Sequence, residues 1–164
     1  MAAPGPVAKR LLRAPIVLYG IGAGALLGRR FLLLTHRGRR SGRRYRTILE
    51  VVAWDAAAEE ATVVSGFGPR ASWYLNVLAG GAEEIRIARD RFRPEVRRVQ
   101  GDEAVRVVAE YERRARFAKP LVRAVLSRLA GHPYDGSEEA RRELVDELPL
   151  VAFRRPADQP GEAG

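Results

Sequence analysis

The residues best equipped for chemistry are gathered in one short run. Six arginines fall between Arg37 and Arg46, and inside that run Gly38-Arg39-Arg40-Ser41-Gly42 combines two glycines, a hydroxyl and adjacent guanidinium groups. Glycine lets a backbone approach an anion closely and take up positive φ. Serine adds a hydroxyl and an amide, and the planar guanidinium forks match phosphate or carboxylate oxygens. The run reads as a phosphate cradle. It reads equally as the basic turn of a basic protein, since arginine is abundant along the whole chain.

Other chemistries are narrowed by what the chain lacks. It has no cysteine, hence no disulfide framework, no thiolate metal site and no thiol nucleophile. His36 and His132 are the only imidazoles and are remote in sequence, so no metal site is expected. The acidic residues cluster in segments of helical spacing, where pairing with arginine accounts for them, and no dedicated acid and base pair is evident. The formal net charge is +9, yet of the 29 basic residues only Lys9 and Lys119 are lysine, a bias that a GC-rich coding sequence would also produce. The remaining charge suits an anionic ligand, an anionic membrane surface or nucleic acid. Aromatic content is only 7%, and Tyr45, Trp54, Phe67, Trp73 and Tyr74 do not interleave with arginine as a stacking platform would, so no nucleic-acid partner is expected.

The elements that must position the basic run follow from periodicity. At 164 residues, 46% hydrophobic and 30% charged, the chain is long enough for one domain with a core and a pocket. Residues 1–30 form a basic and apolar leader in which Lys9, Arg10 and Arg13 precede the uncharged stretch Ala14–Gly28. As a helix that stretch covers about 22 Å, short of the roughly 30 Å of a bilayer core, so it is expected to pack on the domain or lie at a membrane surface. Strands are predicted over Phe31–Thr35, Arg46–Trp54 and Ala61–Ser65, a helix over Ala71–Ala79, and a hairpin from Glu84–Ala88 and Arg91–Val99. Helices from Gly101 to about Arg116, Pro120–Leu129 and Ser137–Asp146 precede a last strand, Pro149–Arg154. Residues 31–155 thus make an α+β domain with an antiparallel barrel or sandwich and helical additions, and 156–164 a flexible tail.

Four segments in order carry a family resemblance: Leu33-Leu34-Thr35-His36-Arg37-Gly38-Arg39-Arg40-Ser41-Gly42, Arg46-Thr47, Ser65-Gly66-Phe67-Gly68, and Trp73-Tyr74-Leu75-Asn76-Val77-Leu78-Ala79. Together they resemble the deazaflavin-dependent nitroreductase family, over about Phe31–Phe153. The resemblance implies a split β-barrel that binds the reduced deazaflavin coenzyme F(420), a hydride donor carrying a phosphate and an oligoglutamate tail. It implies that Arg39, Arg40 and Ser41 hold the anionic part, with Tyr45, Arg46, Thr47 and Ile48 on the strand beneath. Val63, Val64, Ser65 and Gly66 match the segment lining the ring, and Ser72, Trp73, Tyr74, Leu75 and Asn76 match the second coenzyme motif. The nearest alternative cofactor is flavin mononucleotide (FMN), bound by related split barrels, and a non-catalytic carrier of an anionic or fatty ligand is the alternative outside enzymes. The implied reaction is hydride transfer to a small electron-poor acceptor such as a quinone, nitro compound or activated alkene, with Ser65, Tyr74 and Tyr134 as candidate catalytic groups and the proton coming from water or a pocket hydroxyl. A cytoplasmic placement, at the inner face of the membrane if the leader makes contact, goes with that reading; the oligomeric state is left open. This chain departs from the family pattern where Ser72 replaces a proline before Trp73 and where Gly66-Phe67-Gly68 replaces a more polar turn.

Overall fold

The computed structural model describes residues 28–115, 119–159 and 162–163. The helix expected over Ala14–Gly28 therefore lies outside the described residues except for Gly28, which is in a turn. The strands are β1 (Phe31–Arg37), β2 (Arg44–Asp55), β3 (Glu60–Val64), β4 (Ala82–Ile87), β5 (Asp90–Phe92), β6 (Glu95–Val99), β7 (Leu150–Arg154) and β8 (Glu162–Ala163). They form one sheet in the order β6-β7-β3-β2-β1-β4-β5-β8, and every pairing is antiparallel. The helices are α1 (Ser72–Asn76), α2 (Gly101–Arg114), α3 (Lys119–Ala130) and α4 (Glu138–Glu147).

β1 is central because it is apolar on both sides: Leu32, Leu33 and Leu34 are all buried. β2 is the longest strand at 12 residues and serves both halves of the sheet. Arg44–Glu50 pairs with β1, Val51–Asp55 pairs with β3, and the register shifts between Val51 and Ala53. Such an irregularity bends and twists a strand, and here it accompanies the curl of the sheet. One core fills the curl, where Leu32, Leu34, Val63, Ile85 and Phe153 meet Trp73, Tyr74 and Val77. A second lies between the outer face of β3, β6 and β7 and the helices, with Val99, Val108, Leu144, Leu148 and Leu150.

Two expectations are corrected. The segment Arg91–Val99 is not one strand of a hairpin: β5 pairs with β4, whereas β6 pairs with β7 on the far edge. Pro94 cannot donate to a ladder, and the amide of Arg93 goes instead to Gln159 Oε1 at 3.1 Å, so the chain leaves one edge and restarts on the other. The helix expected over Ala71–Ala79 is α1 followed by a π-helical turn, Val77–Gly81, broken at Gly80 with φ of 79°. The helical layer follows the sequence closely. Asp102 and Glu103 occupy the first turn of α2 with Arg113 and Arg114 in its last, as the helix dipole favours. Ser137 caps α4 by accepting from Ala140 N at 3.1 Å. Among the described residues no helix is long and apolar enough to cross a membrane.

Candidate anion-binding cleft and active site

The basic run is the turn between β1 and β2. Gly38 N donates to Arg43 O and Gly42 N donates to Gly38 O, each at 2.8 Å, which closes it. A Cβ on Gly38 would stand 2.6 Å from Ser41 Oγ and 2.8 Å from Tyr45 Cε2, so only glycine lets the two pack over this backbone. Ser41 Oγ and Tyr45 Oη are 3.2 Å apart, and Arg43 N donates to Ser41 Oγ at 3.3 Å. The second wall is α1. Gly81 packs so tightly on the end of β1 that a Cβ would lie 2.6 Å from Arg37 O and 2.7 Å from Asn76 O, and this contact brings Asn76 against the basic turn. Asn76 Oδ1 accepts from Arg39 N at 3.1 Å and from Arg39 Nη1 at 3.0 Å.

Between these walls lies a cleft of about 740 Å³. Of the expected coenzyme residues it brings together Arg39, Arg40, Ser41, Tyr45, Arg46, Thr47, Ser72, Trp73 and Asn76, and it adds His36, Gly38, Phe67, Arg70 and Ala71. Four guanidinium groups line it and no carboxylate does. Glu83, which acts electrostatically on His36, is engaged by Arg37 and Arg44, and these contacts, that to Arg44 foremost, hold its carboxyl below the usual range. Arg40, Arg46 and Arg70 form no ion pair among the described residues. Positive charge without a counter-charge, on a wall where glycine admits close approach, is what the binding of an anion would require.

The remaining expected residues are elsewhere. Val63 is fully buried in the first core, Leu75 packs against it, and Ile48 is half-buried on β2. Val64 and Gly66 line a second cavity of about 710 Å³, walled by Val108, Val125, Leu126, Leu129, Leu144 and Leu150 and rimmed by Arg30, Glu50, Tyr111 and Arg114. Tyr111 donates to Glu50 Oε1 at 3.0 Å, and burial with that carboxylate pushes its phenol up to about 12. The two cavities meet the same turn: Gly66 faces the apolar one and Phe67 the basic one.

The candidate catalytic groups do not line the basic cleft. Ser65 is fully buried and its Oγ donates to Gly68 O at 2.7 Å, so the hydroxyl shapes the turn. Tyr74 is buried in the first core, its ring edge-on to Trp73 at 6.0 Å. Tyr134 is buried in the second core beside the Glu112–Arg141 pair, where burial and then Glu112 raise its pKa. Arg70 and His36 line the cleft but were not among the expected coenzyme residues. Arg70 carries a usable signal, a basic residue between a glycine-proline turn and a helix that returns to another basic turn.

The family model for F(420)H(2)-dependent quinone reductase matches residues 17–123. No curated protein matches the chain. Similar solved structures include an F(420)-H2 dependent reductase (FDR-A), at 19% identity over 77% of this chain and 96% of that one with a TM-score of 0.46. A protein of unknown function from Agrobacterium tumefaciens is 15% identical over 93% of this chain and 59% of its own, with a TM-score of 0.47. A pyridoxamine 5'-phosphate oxidase-related, FMN-binding protein from Nostoc punctiforme is 10% identical over 93% and 82%, with a TM-score of 0.40. The family match takes in both walls of the cleft, the unpaired arginines and the Ser65–Asn76 segment; the chain belongs to the F(420)H(2)-dependent quinone reductase family, and is an oxidoreductase that uses the reduced deazaflavin as hydride donor.

Proposed function

We propose that the basic cleft holds the phosphate and carboxylate groups of F(420), and that the acceptor is an apolar quinone taken into the cavity on the other side of the Ser65–Pro69 turn. The observation that carries this reading is the set of four guanidinium groups, Arg39, Arg40, Arg46 and Arg70, around one cleft without a carboxylate. When bound, the coenzyme supplies the hydride. The chain's own contribution is binding and orientation. Arg40, Arg46 and Arg70 neutralise the anionic part, Asn76 fixes Arg39 against it, and Trp73 with Phe67 offers aromatic surface where the cleft approaches the turn. The aliphatic walls of the second cavity desolvate the acceptor and exclude bulk water from the junction. Tyr111 on that rim gives its one hydroxyl proton to Glu50 Oε1, which keeps the phenol protonated well above neutral pH and holds that carboxylate in place, so the proton for the acceptor comes from water. An apolar quinone is drawn from a membrane, and the uncharged Ala14–Gly28 stretch behind a basic leader suits peripheral contact with an anionic surface.

The test is a titration followed by turnover. The protein should saturate with oxidised F(420) at low salt, bind FMN more weakly in direct competition, and return the oxidised absorbance when menadione is added to the reduced coenzyme. Saturation without turnover across quinones and nitro compounds would make the protein a carrier. No saturation by folded protein would end the assignment of the cleft.

A further inference from the structure

The buried polar groups beneath the cleft form one continuous chain. Asn76 Oδ1 accepts from Arg39 N and Nη1, Asn76 Nδ2 lies 3.2 Å from His36 Nδ1, and His36 Nε2 lies 3.2 Å from Thr47 Oγ1. Asn76 is 4% and His36 3% exposed, so water does not replace these partners. Donor and acceptor inventories then set every direction. Two N–H groups of Arg39 point at Oδ1, and turning the amide over would oppose donors to donors. The amide N–H therefore points at His36, which must receive it on an unprotonated Nδ1. The ring proton is left on Nε2 and donates to Thr47. Because Thr47 accepts it, the Thr47 hydroxyl hydrogen remains available to the cleft that the residue lines.

We propose that His36 is a positioning residue of the coenzyme cradle: as the neutral Nε2–H tautomer it fixes the Asn76 amide, through it Arg39, and leaves Thr47 donating into the cleft. This rests on the reading of the cleft as the coenzyme site. The surroundings of the ring favour that tautomer. Tyr45 of β2 stacks on it at 5.8 Å and 25°. Asn76 of α1 and Thr47 of β2 are its hydrogen-bond partners, and on β4 the charge facing it is Glu83, itself held by Arg37 and Arg44. Burial disfavours the imidazolium more than Glu83 favours it, which keeps the ring neutral at pH 7.

The experiment uses the full chain. Nitrogen-15 NMR at pH 7 should show His36 with Nδ1 unprotonated, and Asn76→Asp, which puts a carboxylate against Nδ1, should turn the ring into the imidazolium. In calorimetric titration with F(420), His36→Leu should weaken binding about tenfold or more, whereas His36→Gln, with one acceptor and one donor, should stay within about threefold. A proton on Nδ1 in the unaltered protein, a neutral ring in Asn76→Asp, or folded His36→Leu binding as the unaltered protein does would each overturn the proposal. Should His36→Leu fail to fold, the NMR results and the His36→Gln affinity decide it. Unaltered protein that takes up no F(420) would overturn the function and not the tautomer, which is read without ligand.

Discussion

The basic cleft and the apolar cavity are nearly equal in size, about 740 and 710 Å³, and touch successive residues of one turn, yet share no lining residue. One is walled by guanidinium, hydroxyl and amide groups gathered from the β1–β2 turn and α1. The other is walled by valine and leucine from β2, β3, β7 and three helices. The contrast shows a division of labour enforced by solvation. On the reading proposed above, a multiply charged carrier would be held where its charges are met by cations, and an apolar partner where no such group would be stranded. The Ser65–Gly68 turn, tied by Ser65 Oγ to Gly68 O and by Gly68 N to Ser65 O, is the rigid partition between them.

The sharpest way to break this comparison is to neutralise the basic side. Arg40→Gln with Arg70→Gln should weaken F(420) binding by roughly two to four orders of magnitude, at about 1.5–3 kcal/mol for each charge-assisted hydrogen bond removed. The control removes the same charge elsewhere: Arg106→Gln with Arg113→Gln, both on α2 and away from the cleft, should leave the affinity unchanged at 0.1 M salt. Equal weakening in the two double variants would mean that net charge, not the cleft, binds the coenzyme.

On the apolar side, Val64→Thr keeps the side chain's shape and puts a hydroxyl into the cavity wall. An apolar acceptor should then show a KM raised roughly five- to thirtyfold, the equivalent of about 1–2 kcal/mol for a poorly paired polar group, with F(420) affinity unaltered. A shift in coenzyme affinity instead, with the acceptor KM unmoved, would assign the second cavity to the ring and not to the acceptor.

The two regions also differ in how far they were legible beforehand. The basic wall is contiguous in sequence, so Gly38, Arg39, Arg40 and Ser41 stood out by type and spacing, and the family resemblance supplied Trp73 and Asn76. The apolar cavity is built from single side chains of many elements, each of which reads as ordinary core; periodicity says that Val108 and Leu144 are buried but not that a space lies between them. His36 was hidden for a third reason. Nothing local marks an imidazole as the link between residues 11 and 40 positions away, since that depends on the β1–β2 register and the Gly81 contact. Ser65 and Tyr74 were expected at the chemistry because the resemblance covers their motifs; the Ser65 hydroxyl bonds to Gly68 O and Tyr74 is buried in the first core. The hairpin at residues 84–99 misread Pro94, which ends one edge of the sheet.

A smaller effect is expected from the turn itself. Gly38→Ala forces Ser41 and the Tyr45 ring to move by several tenths of an ångström. Displacing Tyr45 also unstacks it from His36, so F(420) affinity should fall about five- to tenfold for a cost near 1 kcal/mol, with the quinone KM unchanged. If the variant binds as tightly as the unaltered protein, the cradle does not require this close approach, and Arg40, Arg46 and Arg70 suffice as mobile cations.

The smallest effect separates the two histidines by the sign of their pH dependence. Burial lowers the pKa of His36 below the ordinary 6.5, so on acidification the unfolded chain takes up the proton first. Its contribution is complete above about pH 6.5 and is lost as pH falls toward the folded value. His132 behaves oppositely: the hydrogen bond to Glu147 at 2.9 Å raises its pKa, so its contribution is complete below pH 6.5 and is lost as pH rises through the folded value. Several carboxylates held by arginine, among them Glu83 and Glu103, also weaken the fold in acid, so the measurement must be a difference. Urea midpoints from pH 4.5 to 8 should show His36→Gln losing part of the acid-side slope and His132→Gln losing only the shallow slope above neutrality. An unchanged acid limb in folded His36→Gln would mean that the buried ring beneath the cleft already carries a proton on both nitrogens, and the hydrogen bond from Asn76 Nδ2 to His36 Nδ1 would have to be given up.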